Sequence, residues 1–186
     1  MNLILAVSGA TGAYAAELLM KKSPWPVALV ASDWGRNVFE RERGDFAALA
    51  ARAVRVFEDT DLAAPISSGS VPTVGMVVLP CSTNTLAKVA HGIADTLITR
   101  AAHCHLKEGR KLVLCVRESP WTSIDLSNAA TVAAAGGTIM PLSPPFYQFA
   151  GKDPQQVSMA DLLELYVDRV LAQFGHPAPT NWETVA

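Results

Sequence analysis

Lys111-Leu-Val-Leu-Cys-Val-Arg-Glu-Ser-Pro120 is the stretch that decides how this chain folds. Leu112 to Val116 is an unbroken apolar run without alternation, the pattern of a parallel strand covered on both faces. Arg117 and Glu118 follow with no spacer, and Pro120 stops the strand. In open α/β sheets, ligands collect beyond the carboxyl ends of the strands. A charged pair placed there can reach a ligand. A strand that has merely surfaced, ending in a solvated ion pair of little energetic worth, fits the same pattern. Position alone leaves both readings open.

The pattern of strand, turn and helix recurs on either side of that stretch. Asn2 to Val7 predicts a first strand, Ser8-Gly-Ala-Thr-Gly-Ala13 a tight glycine turn, and Ala10 to Lys22 a helix ended by Ser23-Pro24. Val27 to Ala31 predicts a second strand. Ser32-Asp33 caps a helix running through Arg43, which Gly44 stops. Val54 to Phe57 is a short third strand, and Asp59 to Thr73, rich in serine and interrupted by proline, is a long irregular loop. Val74 to Leu79 is a fourth strand, followed by Pro80-Cys-Ser-Thr-Asn-Thr85 and a helix to about His91. Thr96 to Lys107 and Ser123 to Ala135 are helices on either side of the quoted strand, and Thr138 to Met140 is the last strand. Pro141 to Pro154 is a second proline-rich loop, Met159 to Phe174 the final helix, and His176 to Ala186 a polar tail. Strands alternating with helices through short turns give a three-layer parallel α/β sheet. It forms one domain, residues 1–175, followed by the tail 176–186.

Composition narrows the function classes. Half of the 186 residues are hydrophobic and 17% are charged, below the usual quarter. That implies a thick core or extensive subunit contacts. The net charge of -2, without a basic run, leaves nucleic-acid binding no electrostatic footprint. The apolar stretches are too short to span a bilayer, and Met1 to Val7 lacks the basic start of a signal peptide. Three cysteines, Cys81, Cys104 and Cys115, make no CxxC pair, which points to a reducing cytoplasm without disulfides or structural zinc.

Chemistry-bearing residues cluster after the strands. Ser8-Gly-Ala-Thr-Gly12 lets the backbone approach a ligand, and the helix start behind it offers N–H groups and positive dipole density that suit phosphate. The turn lacks the full G-x-G-x-x-G fingerprint and the lysine of a P-loop, and many α/β proteins need small residues there only to turn. In Pro80-Cys-Ser-Thr-Asn-Thr85 the polar side chains outnumber what a cap requires, which suggests a polar ligand. Cys81 reads as a packed thiol more readily than as a nucleophile, with no histidine near it in sequence. Arg100, Lys107 and Arg110 lie at or beyond the C-terminal half of a helix, where cations also cap the helix dipole. His91, His103, His105 and His176 have no metal-ligand spacing, so no metal site is expected. Tyr147 and Arg169 read singly as a packed aromatic and a surface cation. With Arg117 they could gather on one anion.

Taken together, Gly9-Ala-Thr-Gly12, Ala64-Pro-Ile-Ser-Ser-Gly-Ser70, Pro80-Cys-Ser-Thr-Asn-Thr-Leu86, His91-Gly-Ile-Ala-Asp95, Leu97-Ile-Thr-Arg-Ala-Ala102, Leu106-Lys107, Leu112-Val-Leu-Cys-Val-Arg-Glu-Ser-Pro120 and Pro145-Phe-Tyr147 resemble the flavin prenyltransferase (UbiX) family. The likeness runs from the first strand to Arg169. It implies a flavodoxin-like or Rossmann-like fold binding FMN without a covalent link, with the tail 176–186 able to pack on a neighbouring subunit. The implied activity joins a dimethylallyl unit, supplied as dimethylallyl monophosphate, to N5 and C6 of reduced FMN. The prenylated FMN serves a UbiD-type decarboxylase, no metal is needed, and the assembly is a homododecamer.

By position, the resemblance assigns FMN to Gly9, Ala10, Thr11, Ser32, Ser82, Thr83, Asn84, Thr85 and Arg117. It assigns the prenyl phosphate to Arg100, Lys107, Tyr147 and Arg169, with Glu118 and Glu42 beside it as catalytic carboxylates. Several departures stand out. Thr11 replaces the common serine of the turn, Leu62 takes a position that is often aromatic, and the segment from Gln148 to Met159 is longer than usual. Trp182 matches a tryptophan that can come from a neighbouring chain. The alternatives are an FMN carrier without turnover, or a flavoprotein decarboxylase acting on cysteine. The latter uses a histidine near the first helices, and the first histidine here is His91.

Overall fold

Six parallel strands form the sheet in the order β3-β2-β1-β4-β5-β6. They are β1 (Leu3–Val7), β2 (Val27–Ala31), β3 (Arg55–Glu58), β4 (Gly75–Cys81), β5 (Leu112–Val116) and β6 (Thr138–Ile139). Among the described residues seven α-helices accompany them: α1 (Ala13–Lys22), α2 (Asp33–Arg43), α3 (Phe46–Ala50), α4 (Thr83–Ala90), α5 (Leu97–Lys107), α6 (Ser123–Ala134) and α7 (Met159–Ala172). The structure is a computed structural model that describes residues 1–144, 146–149 and 151–179. Pro145 of the aromatic motif and Trp182 lie outside the described residues.

The four strands β1, β2, β4 and β5 are buried at every position, which is why their sequences run apolar without alternation. Successive residues still face opposite layers. Leu3, Leu5 and Val7 pack with α1 and α7, whereas Ile4 and Ala6 pack with α4, α5 and Val132 of α6. The three expected layers follow directly. Leu3 of β1 pairs with Val27 of β2 on one side and Gly75 of β4 on the other. The chain therefore winds outward from β1 to β3, then returns to start the other half at β4. The switch point lies between β1 and β4, where a doubly wound sheet opens a crevice.

Local departures from the sequence expectation have physical causes. The first helix starts at Ala13 rather than Ala10, because Gly12 sits at φ 114, outside helical space and open mainly to glycine. The fourth strand runs on through Pro80 to Cys81. Val78 pairs with Leu114, and the next partners are Cys81 and Val116. This slip accommodates a residue without an N–H to offer the ladder. Helix α3 escapes a periodicity reading because it has five residues. Asp45 caps it by accepting from Ala48 N at 2.9 Å, and Phe46 meets Phe39 edge-on with ring centroids 5.5 Å apart. The last helix stops at Ala172, two residues before the expected end.

Candidate functional site

A crevice of about 560 Å³ opens above the carboxyl ends of the strands. Gly9, Ala10 and Thr11 follow β1, Ser32 and Trp34 follow β2, and Asp59 follows β3. Ser82 to Thr85 follow β4, and Arg117 and Glu118 follow β5. All nine positions expected to hold a cofactor line this one space, and so does Glu118. Arg117 and Glu118 are exposed, they face the crevice, and neither has an ion-pair partner among the described residues.

Three helices begin at the crevice wall. Ser32 caps α2 by accepting from Gly35 N at 3.0 Å, Ser82 caps α4 through Thr85 N at 3.2 Å, and Thr96 caps α5 in a reciprocal box with Thr99. The aligned dipoles of all three, with the first-turn N–H groups of α2 and α4, make an anion-attracting rim. Lys88 adds a cation there, paired with Asp95 at 2.7 Å. Ser8 ties the floor together. Its hydroxyl donates to Pro80 O at 3.2 Å and accepts from Ser82 N at 2.9 Å. Asp59 accepts from Ile98 N at 2.8 Å. Burial raises its carboxyl above the ordinary carboxylate range, and that hydrogen bond works the other way.

The start of α1 differs from its sequence reading. Its N–H groups are not left for a phosphate. The Glu42 carboxylate accepts from Gly12 N at 3.2 and 3.0 Å and from Ala13 N at 2.8 Å. An acid from α2 thus caps α1, which has no cap of its own. Asp59 fills the α5 start in the same way, its carbonyl accepting from Leu97 N at 2.7 Å and its carboxylate from Ile98 N, so a phosphate in the crevice is left to the starts of α2 and α4.

A second cavity, about 720 Å³, adjoins the first through the shared residues Thr11 and Arg117. Glu42 and Tyr14 line one side, and Leu142, Pro144, Met159, Leu162 and Leu163 make the rest largely apolar. Leu62 is exposed on the long loop and borders neither cavity among the described residues.

One chain does not bring the expected phosphate-binding set together. Arg100 and Lys107 belong to α5 on one face of the sheet, and Arg169 belongs to α7 on the other. Tyr147 lies in the short turn Phe146–Phe149. Among the described residues none of the four lines either cavity. Arg100 Nε donates to Ser67 O at 3.0 Å, and Lys107 pairs with Glu108.

Sequence reasoning missed Trp34, Asp59, Lys88, Thr96, Ile98 and Thr99 in the crevice wall. Trp34 is 70% exposed there. The position of Asp59 immediately after a strand is the signal that could have found it. Cys81 is fully buried, and burial drives its thiol far up in pKa, as an inert packed thiol requires. Cys115 is pushed up to about 12 by the same cause.

A doubly wound sheet with a crevice of mononucleotide size at its switch point, rimmed by helix starts and cations, defines a nucleotide-binding α/β protein. The Flavoprotein family model matches residues 1–171. Flavin prenyltransferase UbiX of Deinococcus radiodurans is 46% identical over 182 residues, covering 96% of this chain and 90% of that protein. The crystal structure of AnUbiX (PadA1) in complex with FMN and dimethylallyl pyrophosphate superposes with a TM-score of 0.88 at 36% identity, over 97% of this chain and 96% of that one. A dodecameric FMN-dependent UbiX-like decarboxylase from Escherichia coli O157:H7 gives 0.87 at 39% identity, over 98% and 99%. The chain belongs to the Flavoprotein family and, within it, to the UbiX flavin prenyltransferases.

Proposed function

We propose that this enzyme transfers a dimethylallyl group from dimethylallyl monophosphate to reduced FMN, and that the prenylated FMN serves a UbiD-type decarboxylase in the cytoplasm. The observation that carries this is the pair of cavities joined at Thr11 and Arg117, one polar and rimmed by helix starts, the other apolar. FMN suits the first. The starts of α2 and α4 would take its phosphate, and Gly9 to Thr11, Ser82 to Thr85 and Arg117 would hold its ring. The dimethylallyl chain suits the second, against Leu142, Pro144 and Leu163.

Bound reduced FMN supplies the nucleophilic ring, so no side chain need attack the allyl carbon. The chain's own residues handle charge and protons. As the allylic C–O bond breaks, negative charge grows on phosphate, and Arg or Lys donors stabilise it by roughly 1.5–3 kcal/mol for each charge-assisted hydrogen bond. Glu118, which lines the crevice beside Arg117, would pass a proton between phosphate and flavin. Glu42 holds the turn that separates the two cavities.

Lys107 lies eight residues beyond Thr99 in sequence, about 12 Å along α5 at 1.5 Å per residue, and so leads away from its own crevice. We therefore place Arg100 and Lys107 at the crevice of a neighbouring subunit, opposite that subunit's Tyr147 and Arg169. This gives a homododecamer reason to exist.

Incubating the protein with reduced FMN and dimethylallyl monophosphate tests the proposal. A flavin heavier by the dimethylallyl unit is expected, and Glu118→Gln should keep FMN yet lose transfer. Unchanged flavin that stays bound would make the protein a carrier. Full transfer by the variant would remove Glu118 from the chemistry.

A further inference from the structure

We infer that Arg110 is a positioning residue for Lys107, acting through the backbone of the 67–73 strap. This rests on the prenyl-transfer reading, in which Lys107 receives the donor's phosphate.

The strap runs along α5, and α5 side chains take up its polar groups one after another. Ser67 O accepts from Arg100 Nε and from Cys104 Sγ, both at 3.0 Å. Val71 O accepts from Arg110 Nη1 at 2.6 Å, and Gly69 O accepts from Arg110 Nη2. His105 Nδ1 donates to Ala101 O at 2.7 Å, which leaves Nε2 to accept from the Thr73 hydroxyl at 2.8 Å. The Arg110 guanidinium is therefore not a cap on the last carbonyls of α5, the role its place in the sequence suggests. It is a fork that grips two carbonyls of another segment, a geometry that suits its fixed planar donors.

What the fork holds in place is the seat of Lys107. A Cβ on residue 69 would stand 2.7 Å from Lys107 Nζ and against the Glu108 carboxylate. The Lys107–Glu108 pair thus lies directly on Gly69, whose carbonyl Arg110 holds. The hydroxyls of Ser68 and Ser70 flank the same spot, 2.9 Å apart and exposed. If the fork is removed, the strap loses the bonds at residues 69 and 71, and the ammonium loses the surface that sets its direction. Arg110 touches neither cavity among the described residues, so FMN binding is independent of it.

The test is steady-state kinetics on the full-length enzyme, varying dimethylallyl monophosphate, together with FMN titration and thermal unfolding. Arg110→Ala should raise the donor KM about tenfold, the effect of losing hydrogen bonds to a charged group. kcat should fall with it, because Lys107 also stabilises the charge growing on the leaving phosphate, whereas FMN affinity should stay within about twofold, a split that a merely structural role would not give. Arg110→Lys, which keeps the charge but can reach one carbonyl, should recover part of the loss. Gly69→Ala leaves Arg110 intact and should raise the donor KM as well, which keeps the test open if Arg110→Ala does not fold. An unchanged donor KM in Arg110→Lys and Gly69→Ala would overturn the inference, and so would parallel loss of kcat, donor KM and FMN affinity. Absence of transfer by the wild type would instead overturn the reading on which the inference rests.

Discussion

Ser8→Ala removes a single hydroxyl from the floor of the crevice, and its cost can be worked from the bonds it breaks. Ser8 is 2% exposed. Its hydroxyl donates to Pro80 O and accepts from Ser82 N. After the substitution Pro80 O still accepts from Ser8 N at 3.2 Å, so that loss is the milder one, about 0.5–1 kcal/mol. Ser82 N is left as a stranded donor in part-buried surroundings, at a cost of about 1–2 kcal/mol. The sum is about 1.5–3 kcal/mol. In a domain of this size each kcal/mol moves Tm by about 2–4 °C, so a fall of about 3–12 °C is expected. Ser82 also caps α4 at the crevice. If a third of the lost energy is felt at the ligand, FMN affinity drops about two- to fivefold, since 1.4 kcal/mol is tenfold. Thermal unfolding and quenching of flavin fluorescence during titration measure the two effects. A Tm within about 1 °C of wild type, with unchanged FMN affinity, would show that the hydroxyl does not bridge β1 and β4 as argued.

Two more perturbations test other joints of the site. Glu42→Gln keeps a hydrogen-bond acceptor near Gly12 but removes the negative charge from the α1 start, a loss of about 0.3–1 kcal/mol at an exposed helix end. Because Glu42 also lines the apolar cavity, transfer should fall while FMN stays bound, and a variant with wild-type kinetics would confine Glu42 to helix capping. His105 makes stability depend on pH. Burial, with Arg110 adding repulsion, holds its imidazole below the ordinary 6.5, so the unfolded chain takes up the proton first. Its stabilising contribution is complete above 6.5 and is lost as pH falls towards the lower folded value. Tm should therefore drop more steeply below that pH in the wild type than in His105→Gln, and parallel curves would contradict it.

The crevice was legible in sequence to the extent that its chemistry is local. Strands buried on both faces write unbroken apolar runs, and the residues that follow them must stand at the sheet's open edge. Arg117 and Glu118 could be placed there from Leu112 to Val116 alone, and Ser82 to Thr85 from the run before Pro80. Asp59 obeys the same rule but was masked, because β3 is mostly exposed and reads as weakly apolar. Trp34 and Thr99 sit within helices and carry no mark of which side they face.

Sequence alone was sufficient for the layer architecture, the strand ends and the family, since each depends on neighbours a few residues apart or on ordered motifs. It could not show that Glu42 reaches back 30 residues to fill the α1 start, or that Arg110 reaches 41 residues to Gly69. Nor could it show that Arg100 and Arg169 leave the sheet on opposite faces. Those facts belong to the tertiary structure. A hydrogen-bond partner is chosen by distance in space, and chain order constrains that distance only within a turn or two of the backbone.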